Sequence, residues 1–176
     1  MLGFGEDEVI LHVAPLTHGA GFLLLPTLRR GGHNLLCRSY DAARAVSLID
    51  GRGVSGMFLV PSMVRMLLDA LPADWAPPAS LRRIYYAGSP IDPGTLREGT
   101  RRFGGRMIQS FAQMESPMFF TVLDAEDHVR ALDADSPLVR SAGKVLPGVA
   151  LCIAGATGRP PHPDGRGRSW RAHRRR

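Results

Sequence analysis

The chain has 176 residues, of which 44% are hydrophobic, and it contains 20 glycines and 14 prolines. This length is sufficient for one domain with a buried core and many turns. The sequence contains no run of 18 apolar residues, so no membrane-spanning helix is predicted. The net charge of +6 is typical of a nucleic-acid-binding protein, but residues 158–176 carry all of it, so residues 1–157 are neutral.

The cysteine usage favours a reduced protein. Cys37 and Cys152 stand in apolar segments without CxxC spacing. A disulfide between them stays open, but a reduced cytoplasmic protein fits this pattern better. Residues 1–6 lack the charged and apolar regions of a signal peptide, which agrees with a cytoplasmic location.

Apolar runs of strand length alternate with segments of helical periodicity from residue 9 to residue 110. Four such strand–helix repeats predict an α/β fold with a layered, mostly parallel sheet and flanking helices. The predicted strands cover residues 9–13, 34–37, 54–60, 83–87 and 106–110. The predicted helices cover residues 20–28, follow the N-cap Asp41, begin at Pro61, and follow the N-cap Asp92.

The pattern changes to strand and loop after about residue 117. Asp124, Glu126 and Asp127 predict a solvated acidic turn. Residues 141–147 predict a glycine- and proline-rich turn, and residues 149–153 a last strand.

Apolar periodicity disappears from Gly158 onward, so we predict a partial domain at residues 1–157 and a disordered arginine-rich tail at residues 158–176. Two interpretations of the tail stay open. It is a polyanion-binding arm, or it is the product of a shifted reading frame in GC-rich DNA. The second is favoured because Lys144 is the sole lysine among 22 basic residues and the pattern is lost abruptly.

Residues 107–123 form the most informative segment of the chain. A short apolar strand leads to the aromatic Phe111, and a single carboxylate, Glu115, follows four positions later. In α/β proteins, ligands bind outside the carboxyl ends of the strands. An aromatic face and a carboxylate at such an edge could stack a base and hold a divalent cation.

Five segments, in the expected order, resemble the adenylate-forming superfamily, the AMP-binding acyl-CoA synthetases. The resemblance covers about residues 6–157 and implies part of the large domain of the adenylate-forming fold. The segments are APLTHGAG at 14–21 (similar to P-L-x-H-x-x-G), FLVPSM at 58–63 (V-P-x-x), YAGSPI at 86–91 (G-G-A-P-L), FAQMES at 111–116 (Y-G-x-T-E) and SAGKVLPG at 141–148 (S-x-G-x-P-x-P-G).

The resemblance implies an ATP-dependent carboxylate–CoA ligase. Such an enzyme joins a carboxylic acid to AMP with ATP and magnesium, and then transfers the acyl group to coenzyme A. The apolar residues Phe22, Leu23 and 60–63 favour a fatty or aromatic acid. Coenzyme A is the expected acceptor, with a carrier protein as the alternative, and the oligomeric state stays open.

The resemblance also implies roles for individual residues. Phe111 would stack on adenine, and Glu115 would hold the magnesium ion as a catalytic residue. His18, the second expected catalytic residue, would lie at the mouth of the acyl pocket. The residues expected to line the nucleotide are Gly88, Ser89, Pro90, Phe111, Ala112, Gln113 and Met114.

Two departures from the family pattern affect the expected activity. Met114 replaces a threonine that contacts the α-phosphate, and the loss of one such hydrogen bond costs about 2–4 kcal/mol in a transition state. The sequence also lacks the family's phosphate loop, its T-G-D segment, its hinge and its C-terminal domain with the catalytic lysine. We therefore expect the middle of a longer ligase, with weak or no activity alone.

Two other functions stay open. The chain is an inactive remnant or interaction protein, which predicts apolar surface where absent segments would pack. Alternatively, and less favoured, it is a nucleic-acid-binding module that acts through the arginine-rich tail, with affinity that falls steeply with salt.

Overall fold

The computed structural model describes residues 4–113, 116–132 and 136–151, without the side chains of residues 116–118 and 137. Met114, Glu115, Cys152 and the predicted tail at 158–176 therefore lie outside the described residues. No helix of the described part is long and apolar enough to cross a membrane.

Within the described residues, seven strands form one mixed sheet in the order β2-β1-β3-β4-β5-β6-β7. All pairings among β1 to β5 are parallel, whereas β5–β6 and β6–β7 are antiparallel. The predicted mostly parallel α/β sheet is thus confirmed. The strands are β1 Val9–His12, β2 His33–Leu36, β3 Gly56–Leu59, β4 Arg83–Tyr86, β5 Met107–Gln113, β6 Ser116–Leu123 and β7 Lys144–Val145.

Five α-helices in the described part of the chain flank the sheet, and two of them begin at the predicted N-caps. Asp41 accepts a hydrogen bond from the backbone of Arg44, and Asp92 accepts one from the backbone of Thr95. The helices are α1 Leu24–Arg29, α2 Ala42–Gly51, α3 Pro61–Ala70, α4 Pro93–Arg102 and α5 Ala125–Leu132, with short 3-10 helices at Gly19–Leu23 and Pro137–Arg140.

Two apolar clusters, both formed by described residues, fill the core. The larger joins strand residues such as Met57 to α2, α3, α4 and α5, and Leu67 and Phe103 are fully buried in it. The smaller joins Ile10 and Phe58 to Leu23 of the first 3-10 helix. The helices therefore cover the sheet in layers, which leaves its strand ends accessible.

A buried carboxylate ties together the amino ends of three strands. Glu8, which precedes β1, accepts a hydrogen bond from Ser55, which precedes β3. Arg83 at the start of β4 donates to Glu8 over 2.7 Å, and Arg82 lies 3.1 Å from the same oxygen. Because this cluster fixes the amino ends of three adjacent strands, it also fixes the positions of their carboxyl ends.

Two predictions for the last part of the chain are wrong. The acidic segment is the start of α5, because Asp124 accepts a hydrogen bond from the backbone of Asp127 over 2.8 Å and carboxylates stabilise a helix N-terminus. Asp124 and Glu126 are exposed as predicted, whereas Asp127 is buried. Residues 149–151 are not a strand, and the edge of β6 pairs instead with Lys144–Val145.

Candidate active site

A cavity of about 720 Å³ opens at the carboxyl ends of β4 and β5. Three separate segments of the chain form its walls: the loop after β4, the end of β5, and the segment before β7. The lining residues are Gly88, Ser89, Pro90, Ile91, Pro93, Gln109, Ser110, Phe111, Ala112, Gln113, Val139, Arg140, Ser141 and Ala142.

The first wall is the exposed turn between β4 and α4. Gly88 has a φ of 96°, a left-handed conformation that favours glycine. The turn ends at the N-cap Asp92 and at Pro93, the first residue of α4. The sequence placed Gly88, Ser89 and Pro90 at a nucleotide, and the fold brings all three to this cavity.

The second wall is the end of β5. Phe111, Ala112 and Gln113 lie in the strand and line the cavity, whereas the sequence suggested a loop directly after Ser110. The β5–β6 pairing is irregular between Phe111 and Gln113, as at a β-bulge. The Phe111 ring lies 5.8 Å from the Phe120 ring at an angle of 44°. Strand pairing and this ring contact hold the aromatic face in place.

The third wall, residues 139–142, rests against β6. Thr121 donates a hydrogen bond to the carbonyl of Ala142, and Ser141 accepts one from the backbone of Gly143 over 3.1 Å. Gly143 has a φ of 95°, and a Cβ there would lie 2.2 Å from the carbonyl carbon of Val122. Only a glycine allows this approach. The turn motif at 141–148 was recognisable in the sequence, but no site residue was predicted here.

A buried polar chain reaches the cavity through Gln109. The Gln109 amide lies 3.1 Å from the hydroxyl of Tyr86, which lies 2.9 Å from Nε2 of His128. Nδ1 of His128 donates to the backbone carbonyl of Asp124 over 2.6 Å. Burial lowers the pKa of His128, although the Asp124 carbonyl and the charges of Asp124 and Asp127 oppose the change. Burial raises the pKa of Tyr86.

Sequence reasoning missed Gln109 and His128. Gln109 stands two residues before Phe111 in the singled-out segment, so its position in the strand was an available signal. His128 has no ligand spacing with another histidine, and nothing in the sequence pairs it with a tyrosine 42 residues away.

His18 does not line the cavity. It is exposed before the first 3-10 helix, where Thr17 lies 2.9 Å from its Nδ1 and its carbonyl accepts from Gly21. Phe22 packs edge-on against Phe58, Tyr85 and Phe119. The predicted catalytic residue His18 therefore lies away from this cavity, and the other, Glu115, is outside the described residues.

Candidate metal ligands do not cluster in the described part of the chain. Within residues 4–113, 116–132 and 136–151, no group of three or more His, Cys, Asp or Glu side chains could hold a metal ion. Glu115 lies outside those ranges.

A family model described as AMP-binding enzyme matches residues 2–171. The chain is 35% identical over 118 residues to the medium/long-chain-fatty-acid–CoA ligase FadD8 of Mycobacterium tuberculosis, which covers 67% of this chain and 21% of that protein. It is 31% identical over 166 residues to a feruloyl-CoA synthase of an Amycolatopsis species, with 92% and 32% covered.

Solved structures show the same fold. The amide bond synthetase McbA from Marinactinospora thermotolerans superposes with a TM-score of 0.79 at 26% identity, over 91% of this chain and 31% of that one. The O-succinylbenzoate coenzyme A synthetase MenE from Bacillus subtilis, solved with ATP and magnesium, gives a TM-score of 0.75 at 24% identity, over 93% and 32%. The chain thus spans between a fifth and a third of the length of these relatives.

Proposed function

Because the chain belongs to the AMP-binding enzyme family, we propose that the cavity at the ends of β4 and β5 binds the adenine nucleotide of an ATP-dependent carboxylate–CoA ligase. One observation carries this proposal. The segments 88–90 and 111–113, singled out from the sequence as nucleotide contacts, line the same cavity although they are over 20 residues apart.

The walls of the cavity suit a purine. The ring of Phe111 offers an aromatic face, and base–aromatic stacking contributes about 1–3 kcal/mol per base. On the other wall, Gly88 lets the backbone come close to a planar ligand because it carries no Cβ. A flat base between these two walls would be held by stacking on one side and by backbone and small side chains on the other.

Glu115 would hold the magnesium ion. It follows Gln113, which lines the cavity, by two residues. Magnesium in phosphate-binding sites takes one or two carboxylates together with phosphate oxygens and water, so a single glutamate suits this role. The bound ion would neutralise phosphate charge while a carboxylate oxygen attacks the α-phosphorus.

The acid substrate would be a fatty or aromatic carboxylate, and coenzyme A the acceptor. Relatives named for medium/long-chain fatty acids and for feruloyl-CoA support both acid classes. His18 would lie at the mouth of the acyl pocket, on the loop that leads into the 3-10 helix with Phe22. The aromatic contacts of Phe22 place an apolar surface beside that loop.

Turnover by the chain alone would be weak or absent, because Met114 cannot donate a hydrogen bond to the α-phosphate. ATP–pyrophosphate exchange with a panel of fatty and aromatic acids measures this. Robust exchange would show that the missing threonine matters less than proposed. The cytoplasmic location stays a prediction from the sequence.

The proposal is tested by AMP binding, measured by isothermal titration calorimetry. Phe111→Ala should weaken AMP binding about tenfold or more, because the variant loses the free energy of one stacking contact. Phe111→Tyr should bind like wild type because it keeps the aromatic face. Leu36→Ala, at an exposed position on the edge strand β2, is the matched control. Absence of AMP binding in the wild type, or an unchanged Kd in Phe111→Ala, contradicts the proposal.

A further inference from the structure

The hydrogen bonds that lead from α5 to the cavity pass through the hydroxyl of Tyr86, which has one hydrogen and two candidate acceptors. The Tyr86 hydroxyl lies between Nε2 of His128, at 2.9 Å, and the Gln109 amide, at 3.1 Å from the Oε1 position. Tyr86 and His128 are each at most 1% exposed, so water does not compete for these bonds. A tyrosine has one hydrogen to donate and cannot serve both neighbours as acceptors.

The proton on His128 is placed by its other ring nitrogen. Nδ1 lies 2.6 Å from the backbone carbonyl of Asp124, which only accepts, so Nδ1 carries a hydrogen. If the ring were an imidazolium, Nε2 would donate to Tyr86 and Tyr86 would donate to Oε1 of Gln109. If the ring is neutral, Nε2 accepts from Tyr86, and the amide must then donate its NH₂ to the tyrosine oxygen.

The surroundings of His128 favour the neutral ring. Burial is the largest influence and lowers its pKa, while Asp124 and Asp127 act in the opposite direction. The charge of Asp127 is itself paired with Lys144 at 2.7 Å, and Arg130 lies 3.6 Å away, which reduces its effect on the ring. No other charged partner of the ring is found among the described residues.

With the ring neutral, the Gln109 amide is oriented by its neighbours. Amide oxygen and nitrogen are distinguished by the hydrogen bonds that they make. Since the NH₂ group donates to Tyr86, the carbonyl oxygen is the atom left for a ligand in the cavity that Gln109 lines. A carbonyl accepts a hydrogen bond from an exocyclic amine and is repelled by an exocyclic carbonyl.

We propose that Tyr86 and His128 are positioning residues that orient the Gln109 amide so that the cavity selects a base with an exocyclic amine over one with a carbonyl there. This inference rests on the proposed nucleotide function. It adds two residues, on β4 and α5, that lie behind the cavity wall and act through Gln109.

The test compares AMP with IMP, which carries a carbonyl in place of the amine, by calorimetry on the full chain. Wild type should prefer AMP about tenfold or more, as expected for one favourable hydrogen bond replaced by two opposed acceptors. Tyr86→Phe should reduce this preference at least about fivefold, since the amide then loses the oxygen that orients it. Tyr85→Phe, the neighbouring tyrosine in the other apolar cluster, should keep the wild-type ratio.

A measurement without nucleotide tests the network itself. Long-range ¹H–¹⁵N spectra of the wild-type protein at pH 7.5 report the tautomer of His128, and Nδ1–H with an unprotonated Nε2 is expected. An imidazolium or an Nε2–H tautomer overturns the inference. So does AMP binding with an AMP-to-IMP ratio that Tyr86→Phe leaves unchanged. If AMP does not bind at all while the Nδ1–H tautomer is found, the proposed function fails and the selectivity fails with it.

Discussion

Nζ of Lys144 lies 2.7 Å from Oδ2 of Asp127, whose side chain is 2% exposed. Lys144 is the sole lysine of the chain and belongs to β7, directly after the cavity wall formed by residues 139–142. Arg130, one turn along α5, lies 3.6 Å from the same carboxylate. The pair therefore connects α5 to the strand that follows the third wall.

Replacing Lys144 with methionine should destabilise the protein by about 1–3 kcal/mol, because the buried Asp127 carboxylate loses its closest donor. Urea unfolding followed by circular dichroism measures the change. Lys144→Arg keeps the charge and should lose much less. Equal losses in both variants would show that packing of the lysine stem, rather than the ion pair, stabilises this contact.

Glu8→Gln should cost about 3 kcal/mol at pH 7, because it breaks a buried charge cluster. The exposed pair of Arg65 and Asp69 provides the control, since Asp69→Asn should cost no more than about 0.5 kcal/mol. Chemical unfolding of both variants beside the wild type measures the difference. Similar costs at the two sites would contradict the role given to Glu8.

The same carboxylate predicts a pH dependence. Burial raises the pKa of Glu8, but the hydrogen bonds from Ser55, Arg83 and Arg82 lower it by more, so it stands below its ordinary value of 4.5. A lowered folded-state pKa stabilises the protein above pH 4.5, and this contribution is lost as the pH falls through the folded-state pKa. The stability advantage of wild type over Glu8→Gln should therefore be constant from pH 7 to pH 5.5 and shrink below pH 4.5. An advantage at pH 3 as large as the advantage at pH 7 would refute the assignment.

Two glycines with similar backbone angles should respond differently to alanine. Gly143→Ala should lose about 2–5 kcal/mol, from the left-handed conformation together with a clash against the backbone of Val122. Gly148 has a φ of 83° and nothing within 4 Å of a built Cβ, so Gly148→Ala should lose only about 1–2 kcal/mol. Thermal unfolding of both variants distinguishes the clash from the conformational cost, and AMP binding by Gly143→Ala should weaken as the third wall moves.

Deletion of residues 158–176 should remove all nucleic-acid affinity and leave AMP affinity unchanged. The segment carries the entire net charge of +6, whereas the cavity is lined by residues 88–142. Fluorescence anisotropy with a labelled duplex at two salt concentrations measures the first property, because electrostatic binding weakens steeply with salt. Duplex binding by the truncated chain would contradict this prediction, because it would require a basic surface outside residues 158–176.

Local signals in the sequence were sufficient for most of the sheet and for the starts of α2, α3 and α4. Asp41 and Asp92 begin α2 and α4 as predicted, because an N-cap acts on backbone groups only two or three residues away. Residues 88–90 and 111–113 were identified from motifs whose own residues determine the local turn or strand. Their meeting in one cavity follows from the parallel order of β4 and β5.

The parts that sequence reasoning missed depend on distant partners. An acidic run without a strong apolar stripe resembles a solvated turn, and the sequence does not show that Lys144, 17 residues later, pairs with the buried Asp127. The last strand was predicted at 149–153 from the apolar content of these residues, but Lys144–Val145 is the segment that pairs with β6. The hydrogen bond between His128 and Tyr86 could not be predicted, because the sequence does not show that α5 brings His128 next to β4.

The strand order follows the chain order except that β2 lies outside β1. From β3 onward, each strand emerging from a ribosome meets a partner that has already been synthesised. Growth of the sheet can therefore proceed during translation, in the direction of synthesis. Since the last cavity wall ends at Ala142, the proposed nucleotide site would be complete only after residues 139–142 have packed against β6, and a ligand would then stabilise the sheet with all three walls in place.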